Sequence, residues 1–149
     1  MTLTYALSSI VVYLGLVFGI IVAYIAKEEL KDGKPYFIFL QNLIVALIIG
    51  ALLYFYRIST YFIILFTLIT FLATYLTDDI RRSYFIYPLL AIPFYLNMNN
   101  PPSFILESLL ILFYGFPTAA LFVQKRKKIH FILLSHISFV VVALLLLLI

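Results

Sequence analysis

Residues 4–34 read TYALSSIVVYLGLVFGIIVAYIA followed by KEELKDGK: an uncharged run from Thr4 to Ala26, then six charges between Lys27 and Lys34. At 1.5 Å per residue the uncharged run is about 34 Å long as a helix, enough to cross a hydrocarbon core of about 30 Å. The rest of the chain repeats this alternation. Its remaining charges are Arg57, Asp78, Asp79, Arg81, Arg82, Glu107 and the run Lys125, Arg126, Lys127, Lys128, with long stretches of Leu, Ile, Phe, Val and Tyr between them.

Reading from charge to charge places helices at residues 4–26, 35–56, 59–76, 83–98, 103–123 and 130–149, and predicts an all-α, polytopic membrane bundle of six transmembrane helices forming a single domain, 1–149. Hydrophobic residues make up 66% of the chain and charged residues 11%, against roughly 45–50% and about 25% in soluble domains. That balance leaves too little polar residue to cover a soluble fold. Tyr5, Tyr24, Tyr36, Tyr54, Tyr56, Tyr61, Tyr75, Tyr84 and Tyr95 fall near the expected helix ends, where amphipathic rings favour the headgroup level. Tyr13 and Tyr114 do not. No Lys or Arg precedes Lys27, so the first span reads as a retained helix rather than a secretory signal.

With six spans, nine of the ten cations lie in loops on one side, and only Arg57 lies on the other. The positive-inside rule then predicts both termini outside and the basic loops in the cytoplasm, in a prokaryotic cell membrane. The net charge of +4 is explained by this retention, and no nucleic-acid partner is expected. Membrane lipids are the expected partners, with anionic headgroups at Lys125, Arg126, Lys127 and Lys128. Gly33 and Pro35 read as a stop and restart between the first two helices.

The fourth span is the anomalous one. It is short, and Pro88 and Pro93 each remove a backbone hydrogen bond, so it is predicted to be kinked or partly unwound and turned away from lipid. Gly15, Gly19 and Ala23 repeat at every fourth position, as do Ala46 and Gly50, and Gly115 and Ala119, a spacing that permits close helix packing. They read as internal seams, or, at Gly15 and Gly19, as a face for a second copy or a membrane-protein partner. Residues 35–43 and 101–109 share a weak similarity at a constant offset of 66, the pattern of a three-plus-three inverted repeat.

Two groups of polar residues mark candidate sites. Glu107 is the only carboxylate inside a span, and Arg57 is the only other charged side chain on its side, so the two form a candidate intramembrane pair. On the cytoplasmic side Gln41, Asn42, Thr74, Asp78, Asp79, Arg81, His130 and His136 form a candidate polar cluster. Thr60, Thr67, Thr70, Thr74 and Thr77 make a stripe down the third helix, read as bonded back to its own carbonyls or as a wet path. His130 and His136 are six positions apart, on different helix faces, and no metal or other cofactor is expected; cysteine is absent. Asp79, Ile80 and Arg81 resemble the D-I-R element of prepilin-type membrane aspartyl peptidases, but the G-x-G-D motif with their second aspartate is missing, and a two-carboxylate mechanism cannot be assembled.

The expected function is therefore a small transporter or channel, or a subunit of one, for a small solute or ion. The alternatives are a membrane-embedded enzyme acting on lipid or peptide at the cytoplasmic face, which the absence of a motif disfavours, and a noncatalytic scaffold or accessory subunit.

Overall fold

A computed structural model describes residues 2–77 and 81–148, apart from the side chains of Thr2, Arg81 and Arg82. Eight helices follow one another: α1 (Thr2–Ile25), α2 (Leu30–Phe55), α3 (Thr60–Leu76), α4 (Arg81–Leu89), α5 (Ala91–Leu96), α6 (Pro101–Gln124), α7 (Ile129–His136) and α8 (Ser138–Leu146). Because α4 with α5 and α7 with α8 are each one span broken near the middle, the six helices expected from the charges are present. Four spans, α1, α2, α6 and α7 with α8, are long and apolar enough to cross a membrane; α3 and the α4–α5 span are shorter. Large apolar side chains such as Phe18, Leu47, Leu65, Phe113 and Leu145 face outward. Exposed apolar surface of this extent is foreign to a soluble monomer and natural in lipid.

Helix α6 is the centre. Tyr5 stacks near Phe104, Gly15 abuts Leu112, and Gly19 abuts Phe116; residue numbers rise together, so α1 and α6 run parallel. Gln124 reaches Leu30 and Gln41 reaches Thr118, so α2 runs antiparallel to α6 on another side. A Cβ on Gly15 would collide with the Leu112 carbonyl, and one on Gly115 would stand 2.7 Å from the Gly15 carbonyl carbon. Without a strong hydrophobic drive between helices in lipid, this backbone-to-backbone approach supplies the association. Gly15 and Gly19 are thus buried in an internal seam against α6, the first of the two readings of their spacing.

The helix ends explain several boundaries. Pro101 and Pro102 sit at the first two positions of α6, where a missing N–H costs nothing, so this helix begins two residues earlier than expected. Helix α2 begins at Leu30 and carries Gly33 and Pro35 inside its opening turns, which corrects the expected stop and restart: Pro35 forfeits one bond to the carbonyl of Lys31, an exposed residue. Helices α2 and α6 end alike. Arg57 and Arg126 take left-handed backbones, φ 55° and 54°, while Ile58 N–H reaches Leu53 and Lys127 N–H reaches Phe122. These are Schellman closures with arginine where glycine is usual.

The fourth span breaks at Leu90, between Pro88 and Pro93, as the prolines require. Tyr87, Leu90, Ala91, Pro93 and Phe94 turn inward. The break at Ile137 corrects the expected continuous sixth helix and has no proline. There the Tyr13 hydroxyl donates to the Leu133 carbonyl at 2.8 Å, Ser135 and His136 bond back to the Ile132 carbonyl of α7, and Ser138 of α8 donates across the break to the Ser135 carbonyl. Such bonds compete with the helical ladder and bend it.

Candidate functional site

The buried face of α6 carries Ser103, Glu107, Ile111, Tyr114, Thr118 and Phe122, all with no exposed surface. Steps of three and four residues stack them along one side of the helix. Four of the six are polar, so the most enclosed line in the molecule is also a polar one.

Near its far end α2 contributes Gln41. The Gln41 amide nitrogen donates to Ser83 Oγ of α4 at 2.8 Å and to Thr118 Oγ1 at 2.8 Å, with the Tyr114 hydroxyl oxygen at 3.2 Å. An amide nitrogen has two hydrogens, and the two shorter contacts use both. Thr118 in turn donates to the Tyr114 carbonyl at 2.8 Å. Three helices are thereby tied at one point by side chains alone. Asn42 is fully buried beside Gln41 on α2.

The Tyr87 ring joins this cluster to His136, 5.7 Å from Tyr114 and 4.9 Å from the imidazole between centroids. Phe122 and Tyr84 complete an aromatic box, Phe122 meeting the imidazole edge to face at 4.9 Å. His136 Nδ1 lies 2.8 Å from the Ile132 carbonyl and 2.9 Å from Ser135 Oγ. A carbonyl can only accept, so Nδ1 carries the hydrogen, and in the neutral ring Nε2 presents a lone pair. Nε2 and the Tyr87 hydroxyl are both buried without a hydrogen-bond partner among the described residues.

At the other end of the line stands Glu107. Both of its carboxylate oxygens are buried with no hydrogen-bond partner among the described residues. The α1–α6 register sets it level with Ser8 to Ile10. Arg57 is exposed in the turn after α2, so the structure does not join the two charges expected to meet. A carboxylate so placed requires a counter-ion or a proton, since an unpaired buried charge costs many kcal/mol.

The expected cytoplasmic cluster is divided. Gln41, Asn42 and His136 are in the buried core, whereas His130 is exposed at the start of α7. Thr74 donates to Thr70 and Phe71 carbonyls of its own helix, and Thr77 to Ala73, so this part of the threonine stripe satisfies itself. Asp78 and Asp79 lie outside the described residues, as does the side chain of Arg81. Ser83, Tyr87, Tyr114 and Thr118 were not anticipated as site residues. Tyr114 left one trace in the sequence, a tyrosine far from any helix end.

Comparisons with protein-family models, with curated proteins and with solved structures find no significant match. The functional reading rests on these residues and their geometry.

Proposed function

We propose that this chain is a small membrane transporter of protons or a small cation, with Glu107 as the ion-binding group and the Gln41, Tyr114 and Thr118 cluster as the polar part of the ion path. The observation that carries this reading is the Glu107 carboxylate, buried and unpartnered on the same α6 face as that cluster. Proteins keep such a group in a membrane interior at a stability cost where an ion or proton must be bound and released. The α4–α5 break supports it, because interrupted helices line sites in membrane transporters and can shift about the interruption. In this reading the bundle is closed around Glu107, and tilting about Leu90 and Ile137 opens it to either side.

The chain crosses the bilayer six times in the proposed topology, with both termini outside and the Lys27 to Lys34 and Lys125 to Lys128 loops in the cytoplasm. The bond from Gln124 to the Leu30 carbonyl, which brings these two basic loops to one end of the bundle, supports that assignment. Anionic lipid headgroups at this end would be held by the exposed Lys125, Arg126, Lys127 and Lys128.

The test is flux. Purified protein in liposomes under an imposed potassium diffusion potential is expected to take up protons or sodium, read by entrapped pH- or sodium-sensitive dyes. Glu107→Gln is expected to abolish the flux and Glu107→Asp to retain part of it. No flux above protein-free liposomes, or equal flux in Glu107→Gln, overturns the proposal.

A further inference from the structure

On the outer surface of the bundle α2, α3 and α6 enclose a groove of about 700 Å³. Its hollow comes from small residues on α2, Ala46, Gly50 and Ala51, with Leu106 of α6 and Ile63 of α3 as walls. Along α2 it runs from Leu43 to Tyr54, about 16 Å at 1.5 Å per residue, or roughly half of a 30 Å hydrocarbon core. That is the depth of one leaflet.

At one end the groove meets a second hollow of about 370 Å³, which shares Tyr54 and Ile63 with it and is lined by Arg57, Thr60 and Asn100. Apolar lining therefore gives way to a cation, a hydroxyl and an amide where the helices end. Arg57 is exposed and forms no ion pair with Glu107, the nearest carboxylate in sequence at this end. Among the described residues its guanidinium has no carboxylate partner, and it stands beside an apolar trough one leaflet deep.

We infer that this paired hollow binds one anionic phospholipid, with an acyl chain in the α2–α3–α6 groove and the phosphate on Arg57. Charge complementarity selects the occupant: an apolar partner helix would fill the trough but leave the guanidinium unmatched, and a zwitterionic lipid would bring its own cation beside the phosphate, whereas an anionic lipid brings a net negative charge. The backbone fits the role. The Schellman closure of α2 fixes Arg57 at the rim, two residues before the α3 N-cap at Ser59. The site is separate from the buried polar line on α6 and from the basic run at Lys125 to Lys128, at the opposite end of the bundle.

The experiment uses full-length protein in mild detergent, equilibrated with equimolar phosphatidylglycerol and phosphatidylcholine of identical acyl chains and read by native mass spectrometry. One phosphatidylglycerol per chain is expected to be retained in preference to phosphatidylcholine. Arg57→Gln is expected to lower that preference about fivefold, the factor for one cation near an anionic headgroup, and Arg57→Lys to preserve most of it. Ala51→Trp, which fills the trough, is expected to reduce retention of both lipids. Should that variant not fold, photoactivatable phosphatidylglycerol on the unmodified protein is expected to label residues 43–71, or Leu106 and Leu110 on the α6 wall. Equal retention of the two lipids, unchanged preference in Arg57→Gln, or labelling elsewhere overturns the inference. So does tight binding of glycerophosphate without acyl chains, which assigns the site to a free anion, or a stable dimer cross-linked through Ala51→Cys, which assigns the groove to a second copy.

Discussion

Helices α6 and α3 are both rich in large apolar residues, yet half of α6's apolar window is buried within the chain and α3 has no buried residue at all. Helix α6 lies mainly against α1 and α2; α3 lies mainly against α2. The difference follows from residue size and polarity, not from hydropathy. In α6, Ser103, Glu107, Gly115, Thr118, Ala119 and Ala120 are small or polar and all turn inward. In α3 there is no glycine and one alanine, and Thr74 and the C-capping Thr77 close bonds onto carbonyls of that helix. Lipid is as good a solvent for leucine as another helix is. A membrane helix is therefore drawn to the centre by what lipid receives poorly, or by the room that small residues leave, and α3 offers little of either.

Substitutions on the two helices should differ accordingly. Gly115→Val, which drives a branched side chain into the Leu16 and Gly15 backbone, should separate α1 from α6 and cost about 3 kcal/mol or more. Thermal unfolding in detergent would read it, and wild-type stability in this variant would break the contrast. Next, Gln41→Leu strips Ser83 and Thr118 of their shared donor and should cost about 1–3 kcal/mol; a double-mutant cycle with Thr118→Val should give non-additive effects. Glu107→Met should act in the opposite sense, raising stability by about 1 kcal/mol or more by removing a buried, unpartnered carboxylate while ending flux. On the α3 side, Gly50→Ala pushes only on the Thr67 hydroxyl, 2.7 Å from the added carbon, and should cost under about 1 kcal/mol. Smallest of all, Ile69→Ala on the lipid-facing side of α3 should change stability by under about 0.5 kcal/mol. A larger effect at Ile69 would mean that α3 is covered by something firmer than lipid.

The same contrast shows what could be read before the structure. Charges mark the helix count because a charge cannot sit in a span without a reason, and Pro88 with Pro93 marks the break at Leu90 because proline's missing N–H acts wherever the rest of the chain lies. The glycine spacing marks the α1 and α6 seams for a similarly local reason. The break at Ile137 was hidden because one of its causes, the Tyr13 hydroxyl, comes from another helix 120 residues away. Gln41 could be picked out as a polar residue in a span, but its partners Ser83 and Thr118, 42 and 77 residues distant, belong to tertiary structure. The proposed repeat fares differently again. Helix α1 packs extensively on α6, but α4 and α5, its counterpart in the second half, lean mainly on α8 rather than on α2, so the two halves are not assembled alike.

The parallel seam of α1 and α6 also has a temporal side. Gly15 finds its neighbour at Leu112, close to a hundred residues downstream, whereas the α2–α3 hairpin is complete as soon as it is made. At a synthesis rate of about 5–20 residues per second, α1 would wait roughly 5–20 s in the bilayer with its glycine face open. During that interval any other small-faced helix could occupy it, so the maturing chain is most exposed to mispairing, or to capture by an insertion factor, at the very surface that later becomes its tightest joint.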